Sequence, residues 1–159
     1  MKIRMLVVAL IGLAFTLSAV AEDKAPYVGT WKLNLSKSRY DPGPPPRSAT
    51  DVNTEVNGAM RSVQSWVDAQ GKAHKVEWTA RFDGKDSPVT GGDAGTTISL
   101  TRPDPREPRT VDWVWKVPGK PTVTGRTVYS KDGKTRTIDG KSTDAAGKAT
   151  TSFRFYERR

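Results

Sequence analysis

Two stretches of strict alternation constrain what this chain can fold into. Over residues 73–82, Val76, Trp78, Ala80 and Phe82 fall on one side, and Lys75, Glu77, Thr79 and Arg81 on the other. A period of two sends successive side chains to opposite faces of a strand, so this segment has one dry face and one wet face. Residues 109–117 repeat the pattern, with Val111, Trp113, Trp115 and Val117 opposing Thr110, Asp112 and Lys116. No segment carries a helical period.

Weaker runs extend the pattern along the chain. Trp31, Leu33 and Leu35 alternate with Lys32 and Asn34, and Val52, Thr54 and Val56 alternate with Asp51, Asn53 and Glu55. In 59–68, Val63 and Val67 oppose Gln64 and Trp66, which suits a strand covered in part on both faces. Residues 96–102, 121–130, 134–143 and 148–157 complete a set of about nine strands. Turn dipeptides separate them: Asn57-Gly58 is a hairpin signal, and Gln70-Gly71, Asp83-Gly84, Asp132-Gly133 and Ala146-Gly147 have the same character. Short connections force antiparallel neighbours, because a parallel pair needs a long crossover. A long meander has two open edges unless it closes on itself. The expected fold is therefore all-β, an antiparallel up-and-down barrel of about 8–9 strands. Two longer loops interrupt it. Residues 36–48, with Pro42, Pro44, Pro45 and Pro46, suit a stiff crossing over the barrel mouth, and residues 86–95 read as a flexible connection.

The N-terminus has a different character. Lys2 and Arg4 precede an apolar run from Leu6 to Val20, and Ala19-Val20-Ala21 forms a small-x-small cleavage site before Glu22-Asp23. That is the three-part layout of a secretory signal peptide. The apolar run falls short of the roughly 20 residues needed to span a bilayer. Residues 1–21 are expected to be removed, leaving 22–159 as one barrel domain, periplasmic or secreted and without a membrane anchor. The chain has no Cys, so neither a disulfide nor a lipidated cysteine is available, and the barrel must hold by packing.

Charge and residue inventory exclude several functions. The net charge is +9, and Lys2 and Arg4 supply two of those charges. Basic and acidic residues are interleaved, as on a solvated surface, so no nucleic-acid partner is expected. His74 is the only histidine, no G-x-S-x-G elbow is present, and Cys is absent, so no catalytic residue is assigned. One His without Cys does not build the usual zinc site, and the acids lack calcium-loop spacing, so neither a metal nor a cofactor is expected. Glu77 and Asp112 fall on wet faces, which disfavours a paired-carboxylate site.

At Gly29-Thr30-Trp31 the chain resembles a known family. A G-x-W at the start of the first strand is similar to the lipocalin and calycin signature. The wider text, GTWKLNLSKSRYDPGPPPRS, FDGKDSPVTG, TGRTVYSKDGKTRTI and a closing FRFYERR, resembles a group of small exported bacterial lipocalin-like proteins of uncharacterised function. The resemblance implies a cup-shaped barrel in which Trp31 plugs the closed end and an arginine of the last strand, Arg154 or Arg158, packs over it. An avidin-like or fatty-acid-binding-like barrel fits the same strand pattern.

The aromatic residues are the remaining signal. Trp78, Phe82, Trp113 and Trp115 lie on expected inward faces, and Tyr129 joins them. In a barrel of this size the interior is either filled by side chains or holds one small ligand. Filled, it suits a structural or interaction module of the cell envelope. Open, these five residues contact a small apolar or amphipathic ligand. A barrel enzyme without a covalent nucleophile is the third reading. None of these features specifies an oligomeric state.

Overall fold

Each alternating segment becomes a strand in the computed structural model, which describes residues 24–144 and 146–159. The expected signal peptide, residues 1–21, lies outside the described residues. The strands are β1 (Gly29–Asp41), β2 (Ser48–Val56), β3 (Ala59–Val67), β4 (Ala73–Ala80), β5 (Ser87–Thr90), β6 (Thr97–Thr101), β7 (Thr110–Lys116), β8 (Val123–Tyr129), β9 (Thr135–Thr143) and β10 (Ala149–Arg158). Every strand pairs antiparallel with its sequence neighbour, and β1 pairs with β10 to close the barrel. The all-β up-and-down barrel is as expected, of the general kind that lipocalins have. Among the described residues the strand count is ten rather than eight or nine.

The additional strand is β5, inside the segment expected to be a loose connection. Only two residue pairs join it to each neighbour, Glu77↔Thr90 and Trp78↔Val89 on one side, Ser87↔Ile98 and Pro88↔Thr97 on the other. Four residues are too few for a period of two to show. β1 also runs six residues beyond Leu35, through Ser36–Asp41, which the proline-rich loop was expected to contain. A register shift against β10 between Asn34 and Arg39 breaks the alternation there. Ser38 holds the irregular stretch by donating to the Asn34 carbonyl at 2.7 Å and accepting from the Phe155 amide at 3.0 Å. The shift turns Tyr40 inward, although an odd separation from Trp31 would put it outside in a regular strand.

Asn57-Gly58 is a hairpin as expected, with both residues at positive φ, 50° and 74°. The strand it follows, β2, has an unusual polarity. Asp51 and Asn53 are buried at 5% and 1% exposure, while Val52 and Val56 are exposed. In β3, likewise, Ser62 is buried and Gln64 and Trp66 face inward with it.

The closed end is built around Trp31, which is fully buried. Its indole Nε1 donates to the Tyr27 carbonyl at 2.9 Å, and its ring lies 5.3 Å from that of Tyr129. The guanidinium of Arg158 lies over the indole at 5.0 Å and donates to the Val28 carbonyl. Of the two last-strand arginines it is therefore Arg158 that lies over Trp31, and Arg154 lies over Trp113 instead. Both residues share one parity of β10, but four positions of strand separate them by about 13 Å, so only Arg158 reaches the end. The glycine before the tryptophan has a physical role here. Gly29 sits at φ 144°, and a Cβ on it would lie 2.7 Å from Arg158 Nε.

Candidate functional site

Because the strands alternate in direction, the connections 42–47, 68–72, 91–96 and 117–122 gather at the end opposite Trp31. Between these loops and Trp31 the barrel encloses a cavity of about 560 Å³. Pro44 and Pro46 border it from above, so the proline-rich loop lies at the mouth as expected. Arg47 ties that loop to the β3–β4 turn, its Nε donating to the Ala69 carbonyl at 3.2 Å and its amide to the Val67 carbonyl at 2.8 Å. His74 belongs to the same rim. Its ring stacks on Trp66 at 5.0 Å and 8°, and its Nε2 lies 2.7 Å from Asp68 Oδ2. That hydrogen bond, with further ones from the Lys72 and Gln70 amides, holds the half-buried Asp68 carboxyl below its usual range.

Four of the expected contact residues, Trp78, Trp113, Trp115 and Tyr129, line the cavity. Phe82 does not. It lies beyond the end of β4, packs 5.4 Å from Tyr27 and has the Arg102 guanidinium 3.9 Å above its ring. The alternation that placed it inward ends with β4 at Ala80. Trp113 has a specific reason to leave open space. Its pairing line crosses β8 and β9 at Gly125 and Gly140, which face each other directly. A Cβ on Gly125 would collide with the Trp113 indole, so the ring lies flat against the wall.

The floor is polar. Asp51 and Arg136 form an ion pair in which both side chains are almost wholly buried. The Arg136 guanidinium also lies over the rings of Tyr156 and Trp31, at 4.3 and 5.2 Å. Burial works against this cation, but Asp51, Tyr129 and Tyr156 more than offset it, and its pKa is raised. Burial pushes the hydroxyls of Tyr40, Tyr129 and Tyr156 above the ordinary tyrosine value. All three are neutral donors at physiological pH.

A second set of groups separates this interior from an ordinary core. Among the described residues, eight buried side-chain polar atoms have no hydrogen-bond partner, and seven of them belong to cavity-lining residues. They are Tyr40 Oη, Asn53 Nδ2 and Oδ1, Ser62 Oγ, Trp78 Nε1, Arg136 Nε and Arg154 Nε. A buried polar group without a partner costs about 1–3 kcal/mol, so their concentration in one space marks it as a place that meets polar chemistry. Arg154 stands out among them. It lines the cavity, its guanidinium lies 5.7 Å from the Trp113 ring, and it makes no ion pair among the described residues.

Sequence patterns had pointed to the tryptophans but not to Tyr40, Asp51, Asn53, Ser62 or Arg136. The polar parity of β2 was the available signal, since Asp51 and Asn53 share a face that its partner strands show to be internal. The His74–Asp68 pair engages Trp66 and the rim. Among the described residues no three of His, Asp and Glu come together as a metal site.

No protein-family model matches the chain, and no curated protein matches it.

Proposed function

We propose that the protein is an exported binding protein that holds one small amphipathic ligand inside its barrel. The observation that carries this reading is the cavity of about 560 Å³, walled by Trp66, Trp78, Trp113 and Trp115 and furnished with polar atoms that have no partner among the described residues. Small-molecule sites commonly have about 300–1,000 Å³ and combine apolar walls with a few convergent polar groups. The aromatic walls suit a flat or apolar body. Arg154, a cation without an acidic partner among the described residues, suits an anionic group on the same ligand. This cavity favours the binding reading over a filled barrel that works through its outer surface.

A lipocalin-type relationship is part of the proposal. Its support is the G-x-W opening with Trp31 at the closed end under Arg158 of the last strand. Export, by cleavage after Ala21, rests on the basic, apolar and small-residue segments of residues 1–21. Intact mass of the protein recovered from the cell envelope checks it, with Glu22 as the expected first residue.

Four of the five tryptophans line the cavity, so their fluorescence reports on it. Titration with anilinonaphthalene sulfonate, an aromatic anion, and with a long-chain alcohol is expected to give saturable changes. Arg154→Met is expected to weaken the anion by about tenfold, the loss of one charge-assisted hydrogen bond. Absence of any saturable change with either probe would remove the proposal.

A further inference from the structure

Three of the unpartnered groups stand side by side. Asn53 of β2 pairs directly with Ser62 of β3, and Ser62 pairs directly with Trp78 of β4. Directly opposed residues on adjacent strands have Cβ atoms about 4.5–5.5 Å apart and point to the same face. That face is the cavity, which all three residues line. Their exposures are 1%, 1% and 4%, so each is more than nine-tenths buried. Asn53 leaves both a donor and an acceptor without a partner, Ser62 a hydroxyl, and Trp78 an indole N–H.

Position and charge narrow what this row can meet. Asn53 pairs with Gly29, the first residue of β1, so the row lies in the half of the barrel toward Trp31. The charged groups of the cavity lining nearest that end, Asp51 and Arg136, neutralise each other. None of the three side chains is itself charged. A carboxylate placed here would meet donors, but it would leave Asn53 Oδ1 facing an oxygen. A plain hydrocarbon would leave every atom of the row unsatisfied. A planar group with an N–H beside a C=O satisfies both sides of the Asn53 amide at once, and the Ser62 hydroxyl or the Trp78 N–H can supply the second donor that its oxygen accepts.

We propose that the row Asn53–Ser62–Trp78 reads an amide-type edge, a lactam or cyclic urea, on the buried end of the ligand. The inference rests on the binding function above and adds the chemical class of the deep end. The apolar body of the ligand then lies along Trp113 and Trp115, and its anionic group faces Arg154 nearer the mouth.

Equilibrium dialysis with three bicyclic probes of similar shape tests it. Carbostyril carries the lactam edge, N-methylcarbostyril lacks the N–H, and naphthalene lacks both polar groups. Carbostyril is expected to bind at least about tenfold more tightly than either other probe, the effect of one or two satisfied buried hydrogen bonds. Asn53→Leu and Ser62→Ala are each expected to erode that preference while leaving naphthalene affinity in place. The comparison among probes on the unaltered protein stands even if Asn53→Leu fails to fold. Equal affinity for carbostyril and naphthalene would overturn the amide reading and leave the binding function intact. Failure of all three probes to bind would overturn both.

Discussion

The Asp51–Arg136 pair is the point at which this barrel is most sensitive to a single substitution. Both residues are buried, at 5% and 4% exposure, and Asp51 has no other cationic partner among the described residues. Arg136→Met removes the cation and leaves a carboxylate inside the barrel. Breaking a buried pair in this way costs about 3–5 kcal/mol, a large share of the roughly 5–15 kcal/mol that stabilises a typical domain. For a barrel of this length the melting temperature should fall by roughly 10–20 °C. Replacing both partners, Asp51→Leu with Arg136→Met, removes the stranded charge and should recover most of the loss. A deficit of about 0.5–2 kcal/mol should remain from the guanidinium stacked on Trp31 and Tyr156. Urea unfolding followed by tryptophan fluorescence, run as a double-mutant cycle, gives the coupling directly. A single variant that loses less than about 1 kcal/mol, or a double variant as damaged as the two single losses combined, would refute the buried pair as described.

Other expectations are smaller or more local. Arg158→Met should lower stability without changing the affinity for anilinonaphthalene sulfonate, whereas Arg154→Met should do the reverse; one melt and one titration of each variant separate the two arginines. Gly125→Ala would set a Cβ against both the Trp113 indole and the Asp139 carbonyl of β9, so ring and backbone must both shift, at a cost of at least about 1–3 kcal/mol and with altered near-ultraviolet circular dichroism; unchanged spectra would contradict the close approach. Burial pushes the Tyr27 hydroxyl from 10.0 up to about 12, and Tyr129 and Tyr156 are raised as well. A raised tyrosine pKa means that the folded state keeps a proton the unfolded chain loses. That stabilisation is complete below pH 10 and is lost as pH rises through the folded values. Unfolding free energy measured from pH 8 to 12 should therefore fall above pH 10, and a flat profile would contradict it. Asp112→Asn should change stability by less than about 1 kcal/mol, because its pair with Arg126 is solvent-exposed.

How far the sequence revealed this molecule depended on the local pattern. β4 and β7 were plain because their apolar residues alternate without interruption, and most turns were marked by glycine pairs. β5 escaped notice because four residues carry no period, and the far half of β1 because a bulge breaks its parity. The cavity explains the harder cases. A strand that lines a polar cavity puts Asp51 and Asn53 inside and Val52 and Val56 outside, so hydropathy assigns its faces backwards. Trp78, Trp113, Trp115 and Tyr129 were found because a ring on an inward parity is visible in one strand. The row Asn53–Ser62–Trp78 was not, because it exists only through the register of three strands. Phe82 was misplaced for a similar reason, since its strand ends two residues before it.

Binding inside the barrel is tested most directly by filling it. Thr127, buried on β8 and pointing into the cavity between Val111 and Ile138, can be changed to Trp. Isothermal titration of anilinonaphthalene sulfonate should give one site per unaltered chain and at least about a tenfold loss in Thr127→Trp, provided circular dichroism shows the barrel retained. Equal affinity in the two proteins, or several weak sites in both, would place binding on the outer surface and contradict a ligand held within the strands.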